Sequence, residues 1–341
     1  MPENLLELGD AVILSTQRNV RHLAISLAGQ EPGLFAATYE AAATKGIPNG
    51  DGTSRDSICL SVSNSCTVGC EYCATFKRGQ ELRISPQRPT AGLLVAQYDK
   101  ALRAVQAVEP GFGRDDLSAA FMGKGEPLFY AQEVAKAITQ MHAAGLITRS
   151  TVSTSLGSRA IENFARVMAP RIQAGTPPPY FQVSLHSPNM EQRRAMVGVI
   201  ARQAQPEEPI AIVANAAEAI GPLQRGTPAD IRIRHTLMRW GEGTDATNFR
   251  PDEVRGFAGQ LAELNSQLIA GGDKPVRVSV SLYNPTSLTP DYLQTDLTDQ
   301  ATVLAMYNGV GIPATPFARG AIVQAEQQDG VCGTMSLQRG L

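Results

Sequence analysis

Strand-like and helix-like segments alternate along this chain in a way that few folds can use. Strand-like runs fall at 58–63, 117–122, 150–155, 180–186, 231–238 and 276–283. Helix-like stretches lie near 90–108, 131–144, 158–169, 189–204, 252–270 and 298–308. Repeated strand, helix, strand predicts βαβ units and a parallel sheet, because a helix is the usual crossover between parallel neighbours. The helix near Asp252 has a clear start, with Pro251 ahead of the acidic pair Asp252 and Glu253. Segments 177–179 and 203–209 read as loops over a helical ring. At 341 residues the options are an open doubly wound sheet or a full or partial barrel. Polar residues gather where the strands end: Gly123-Lys-Gly-Glu-Pro, Ser153-Thr-Ser, Ser184-Leu-His186 and Asn284-Pro285. Active sites of parallel sheets sit at that edge. Upstream, residues 20–42 read as a small β element, followed at 46–56 by a loop of turn-forming residues.

Composition removes several classes. A chain that is 43% hydrophobic and 18% charged is not disordered. No apolar run approaches the roughly 20 residues that span a bilayer. The start, Met1-Pro-Glu-Asn-Leu-Leu-Glu, lacks the basic and apolar regions of a signal peptide. The formal net charge of −2 gives no support for nonspecific polyanion binding, so a nucleic-acid substrate would need a local basic patch. The concentrated basic elements are Arg193-Arg194 and the strand carrying Arg232, Arg234 and Arg239. Arg232 and Arg234 share one strand face. They suit phosphate contacts, and equally a solvated Arg-rich rim, which is the reading we take.

Five cysteines are too few, and odd in number, for a disulfide framework. Four fall within fifteen positions, and Cys332 sits close to the C-terminus. Cys66-Thr-Val-Gly-Cys70-Glu-Tyr-Cys73 is a C-x3-C-x2-C motif just after the first barrel strand. Three thiolates on a short loop suit three irons of a [4Fe–4S] cluster, leaving the fourth iron open. A closed zinc site would need a fourth ligand, and His22 and His142 have no zinc-type spacing to the loop. Three structural cysteines, or part of a zinc site, is the alternative. Tyr72, just before the last cysteine, favours the cluster.

With these motifs the sequence resembles the radical S-adenosylmethionine (SAM) superfamily, and within it the RlmN/Cfr methyltransferases that act on adenine carbons of ribosomal RNA. The resemblance runs from about residue 20 to 336 and rests on six motifs in order: Cys59 seven residues before Cys66, Gly-Glu126-Pro-Leu, Ser153-Thr154-Ser155, Ser184-Leu185-His186, Asn284-Pro285, and Val331-Cys332-Gly-Thr-Met335. It implies an α/β fold, a partial (β/α)6 barrel of the radical SAM type with a small N-terminal β-hairpin element. The chain then divides into a segment with hairpin and linker at 1–56, a barrel at 57–320 and a tail at 321–341 carrying Cys332. The implied cofactors are a [4Fe–4S] cluster on Cys66, Cys70 and Cys73, and SAM on its open iron.

The implied chemistry needs two further cysteines. Cys332 takes a methyl group from one SAM, and a radical from a second SAM activates that methyl for addition to the base. Cys59 removes the proton from the base carbon and helps release product through a disulfide with Cys332. Gly125 and Glu126 are expected at the SAM amino group, since a carboxylate pairs with an ammonium. Ser153, Ser155, Ser184 and Asn284 are candidates for its ribose and carboxylate, although Ser and Asn at strand ends also serve as turn formers. Glu40 resembles a hairpin glutamate of the family, and His186 is either a site residue or a satisfied strand-end histidine.

Departures from the family bear on the substrate. About 19 residues precede the hairpin where ribosomal members carry a helical domain. Lys124 stands where a Met is usual, and the tail lacks the Arg-Gly-Asp-Asp pattern. The expected activity is carbon methylation of an adenine in RNA. The alternative is the same chemistry on a small molecule, nucleotide or peptide. An electron donor such as flavodoxin or ferredoxin, a cytoplasmic setting and no membrane association complete the expectation.

Overall fold

The computed structural model describes residues 8–17, 20–27, 38–48, 54–114, 116–241 and 246–317. The chain opens with three antiparallel strands, β1 (Leu8–Gln17), β2 (Val20–Leu27) and β3 (Thr38–Pro48). The expected hairpin is thus a three-stranded meander. Its third strand begins at Thr38 and runs on through Pro48, where turn composition suggested a loop. Next come β4 (Ser54–Leu60), α1 (Ala74–Glu81), α2 (Ala91–Val108) and β5 (Leu117–Phe121). A 3-10 turn, Pro127–Tyr130, leads into α3 (Ala131–Ala143), β6 (Arg149–Thr154), α4 (Ser158–Gln173) and β7 (Tyr180–Ser184). Then follow α5 (Met190–Met196), α6 (Gly198–Ala201), α7 (Pro209–Gln224), β8 (Ile231–Trp240) and β9 (Ala246–Thr247). The described chain closes with α8 (Pro251–Ala270), β10 (Arg277–Leu282), β11 (Tyr292–Gln294), α9 (Leu297–Gly309) and β12 (Ala314–Pro316).

Strands β4, β5, β6, β7, β8, β10 and β12 lie side by side, all parallel, in sequence order. The antiparallel meander extends the β4 edge. Among the described strands β1 and β12 end the path and do not pair with each other, so the barrel is partial.

A period-2 split explains which face does what. On one face Ile58, Leu60, Ala119, Phe121, Val152, Phe181, Val183, Ile233 and Val280 are fully or almost fully buried. They belong to the apolar core with Leu94, Tyr98, Val134, Ile138, Ile161, Phe164, Val213 and Leu261 of the helices. The other face is polar: Ser57, Cys59, Ser153, Gln182, Ser184, Arg234, Thr236, Ser279 and Ser281 line the bore. At its amino-terminal end Arg149 pairs with Asp116, Arg232 chelates Asp230 at 2.7 and 3.1 Å, and both guanidinium groups lie over the Tyr180 ring.

Two expectations about helices are corrected. The stretch 189–204 is two short helices, because Val197 turns extended and bridges to Cys70. Helix α7 occupies a region read as having no helix. Pro209 starts it, and Ile212, Val213, Ala216, Ala217 and Ile220 recur at helical spacing on its buried face. Its alanine-rich composition hid that period. Among the described residues no helix is long and apolar enough to cross a membrane. Cys332 and the tail at 321–341 lie outside the described residues.

Candidate functional site

The chain leaves β4 into a buried run, Ser61, Val62, Ser63, Asn64 and Ser65, each at most 2% exposed. Buried polar groups need partners, and the loop after β5 supplies them. Lys124 N–H donates to Ser61 Oγ at 3.1 Å, and Val62 N–H donates to the Lys124 carbonyl at 2.8 Å. Such close stitching leaves no room for side chains. A Cβ on Gly123 would sit 2.7 Å from the Leu60 carbonyl oxygen. Gly125 has φ +91°, and a Cβ there would lie 2.9 Å from Val62 Cγ2 and 3.0 Å from Ser63 N.

The Cys66–Cys73 loop follows and is held from two sides. Val199 and Gly198 N–H donate to the carbonyls of Val68 and Gly69 at 2.7 and 2.8 Å, and Glu71 N–H donates to the Met196 carbonyl at 2.9 Å. From the end of β10, Tyr283 Oη donates to the Tyr72 carbonyl at 2.7 Å. The Tyr72 ring meets His186, Tyr283 and Tyr292 at centroid distances of 5.6, 6.0 and 6.1 Å. Cys73 caps the start of α1, its carbonyl accepting from Phe76 and Lys77 N–H.

Burial pushes the Cys66 thiol up to about 12, and Cys73 beside it adds to the rise. Cys70 is raised well above the ordinary thiol range by burial and by Cys73 and Cys66. Three neighbouring thiols oppose one another's ionisation, and a bound cation would reverse that opposition. Among the described residues no three His, Cys, Asp or Glu side chains converge on a single metal ion. An iron–sulfur cluster asks for something else, since each thiolate takes a different iron. Three thiols spread along one clamped loop fit that demand better than they fit one zinc ion.

Glu126 is 4% exposed and ties two strand ends together. Its Oε1 accepts from Leu128 N–H at 3.1 Å and Thr154 Oγ1 at 2.8 Å, and its Oε2 accepts from Ser155 N–H at 2.9 Å. Burial raises its pKa to about 7, against the pull of those three donors. Ser155 Oγ meets His186 Nε2 at 3.3 Å. His186 is buried at φ +64°, and burial with Arg193 nearby lowers it to about 3, so its ring is neutral. Deeper in the bore Gln182 Nε2 donates to Ser153 Oγ at 2.8 Å, and Ser153 lies 3.5 Å from Ser184 Oγ. Cys59 shares this bore, near Arg234. Asn284 is half-buried beside Tyr283. Glu40 lies on β3 two residues before Ala42, the partner of Cys59.

The structure therefore brings the three loop cysteines, Gly125, Glu126 and Ser155 to one edge, with Ser153, Ser184 and Cys59 further down the bore. It separates the Arg193-Arg194 pair. Arg194 is exposed, whereas Arg193 is 2% exposed and donates to the Ser155 carbonyl at 3.2 Å. Sequence reading missed Tyr283, Gln182 and Asn248. Asn248 holds the Met238 N–H at 2.9 Å and donates to the carbonyls of His186 and Thr236. Only Tyr283 carried a signal, as the neighbour of Asn284-Pro285.

No protein-family model matches the chain. It is similar to a probable dual-specificity RNA methyltransferase RlmN of Prochlorococcus marinus, 31% identical over 156 residues, covering 45% of this chain and 40% of that protein. A dual-specificity RNA methyltransferase RlmN of Saccharophagus degradans is 28% identical over 251 residues, covering 71% of this chain and 52% of that protein. The chain thus spans about half the length of these curated relatives, or less. A radical SAM methyltransferase from Sphaerobacter thermophilus has the same fold, with a TM-score of 0.68 at 21% identity over 97% of this chain and 81% of that one.

Proposed function

We propose that the chain is an RlmN/Cfr-like radical SAM methyltransferase that places a methyl group on an sp2 carbon of an adenine, in RNA as the names of its relatives suggest. One observation carries the reading. Three cysteines share a loop clamped at the carboxyl edge of parallel strands, and a fourth, Cys59, lies in the polar bore below.

Cys66, Cys70 and Cys73 would hold a [4Fe–4S] cluster. When bound, the cluster and SAM supply a carbon-centred radical able to take hydrogen from an unactivated methyl group. Gly125, having no side chain, lets the loop after β5 pack against Val62 and Ser63. Glu126 has used three of its roughly four acceptor positions on protein donors, leaving Oε2 one position for the SAM ammonium. Ser155, Ser153, Ser184 and Asn284 offer hydroxyl and amide partners for the rest of SAM. His186, neutral and fixed against Tyr72, shapes the wall without adding charge.

Cys332 would carry the methyl group that is transferred, as a thioether formed by displacement. Cys59 would take the proton from the substrate carbon. Phe317, the last described residue, lies over Arg234, whose guanidinium senses Cys59. Cys332 is fifteen residues further along the chain. Such a length reaches up to ~50 Å when extended, ample to return to the bore. A small flavin or iron–sulfur protein would supply the electron.

The test is anaerobic reconstitution with SAM bearing a deuterated methyl group, followed by mass spectrometry of the protein and of RNA digests. The expected result is label on Cys332 and on an RNA adenine. No label on Cys332, or unchanged turnover in Cys332→Ala, overturns the two-cysteine mechanism. Label on Cys332 with none in RNA moves the substrate to a smaller molecule.

A further inference from the structure

Strand β8 carries three arginines, and two of them have an acid partner. Arg232 chelates Asp230, and Arg239 pairs with Asp299 at 2.7 Å. Arg234 does not. Its Nη2 donates to the neutral amide oxygen of Gln182 at 3.1 Å, and its Cζ lies 3.2 Å from the centre of the Phe317 ring. Its Nε–H is enclosed and donates to nothing among the described residues. Near it lie the Cys59 thiol and the like-charged Arg232. Burial lowers its pKa only to about 9, so it stays a cation near neutrality.

A guanidinium set into a strand-lined bore with a neutral amide, a ring face and a like charge is costly unless an anion joins it. Gln182 is itself held by Ser153, so the Arg234 fork is fixed on one edge, and Phe317 covers one face of the plane. The edge with Nε has no acceptor among the described residues. Planar guanidinium forks bind phosphate and carboxylate through two parallel hydrogen bonds.

We propose that Arg234, positioned by Gln182 and Phe317, is the oxyanion-binding residue of the barrel bore and holds a phosphate or carboxylate of the molecule to be methylated. The inference rests on the functional reading above, since it takes the bore as the place where substrate meets Cys59. It assigns to the substrate an anionic group close to the reacting carbon, held inside the barrel.

The test compares three ligands that differ only at one position: adenosine, adenosine 5′-monophosphate and adenosine-5′-carboxylic acid. Affinities are measured by calorimetry on the full chain and on Arg234→Gln, Arg234→Lys and Arg232→Gln. The expected result is at least a tenfold preference for one or both anionic ligands over adenosine. That preference disappears in Arg234→Gln, is partly retained in Arg234→Lys and is unchanged in Arg232→Gln. The phosphate and carboxylate arms tell which oxyanion the site takes. Equal affinity for all three, absence of binding included, overturns the proposal, as does a preference that survives Arg234→Gln. SAM cleavage by the same samples is read separately. Cleavage without the preference defeats this inference alone, and the preference without cleavage defeats the functional reading alone.

Discussion

Gly125 offers a direct test of how tightly the first two strand-end loops are joined. An alanine there meets two obstacles. The first is its backbone, at φ +91°, in a region where an L side chain costs about 1–2 kcal/mol. The second is contact, with Val62 Cγ2 at 2.9 Å and Ser63 Cβ and N at 3.0 Å, distances that force the neighbouring loop to shift. Overpacking of that kind costs about 1–3 kcal/mol. Gly145, which ends α3 at φ +66° with nothing within 4 Å of a Cβ, isolates the first obstacle. Gly145→Ala should therefore lose about 1–2 kcal/mol and Gly125→Ala about 2–5 kcal/mol. At roughly 2 °C per kcal/mol for a large domain, melting should fall by about 2–4 °C in the first and about 4–10 °C in the second. Calorimetric scans of the two variants beside the parent chain give the comparison. SAM affinity should fall in Gly125→Ala and stay unchanged in Gly145→Ala. Equal melting shifts would refute the reasoning, because the close approach to Val62 and Ser63 would then contribute nothing.

Other outcomes follow from the same geometry. Burial raises Glu126 from an ordinary 4.5 to about 7, so its stabilising share is full below about pH 4.5 and is lost as pH rises through about 7. Denaturation across that window should show the parent chain losing about 3 kcal/mol that Glu126→Gln does not lose, and parallel curves would contradict the assignment. Tyr283→Phe leaves the Tyr72 carbonyl without its 2.7 Å donor and should cost about 1–2 kcal/mol. The loop should then release a reconstituted cluster faster to a chelator, measured as decay of visible absorbance. Alanine at Cys66, Cys70 or Cys73 should abolish that absorbance, whereas Cys59→Ala should retain it. Full absorbance in Cys66→Ala would rule out the cluster assignment.

The alternation of strand and helix, the parallel sheet and the gathering of polar residues at its carboxyl edge were legible in the sequence because each is a local pattern. A period near two or near 3.6 is written in neighbouring residues, and the three cysteines lie within eight positions. The reading failed where the local pattern was weak. Helix α7 is alanine-rich, and the 189–204 helix breaks only because Val197 is drawn into a bridge with Cys70 from a distant loop.

The family resemblance picked out Glu126, Cys59 and the serines, but not what they touch. Glu126 was expected to face a ligand, and the fold first gives it Thr154, Ser155 and Leu128. Arg193 and Arg194 look alike in sequence, yet one faces solvent and the other is buried against Ser155. Arg232 and Arg234 share a strand face by period alone, but Arg232 takes Asp230, two residues earlier on its own chain, whereas Arg234 reaches Gln182 on the neighbouring strand β7. Local periodicity decides which residues form an element and which way they alternate. Which polar groups meet across strands is decided by register, curvature and the packing of helices outside, and those are properties of the whole chain.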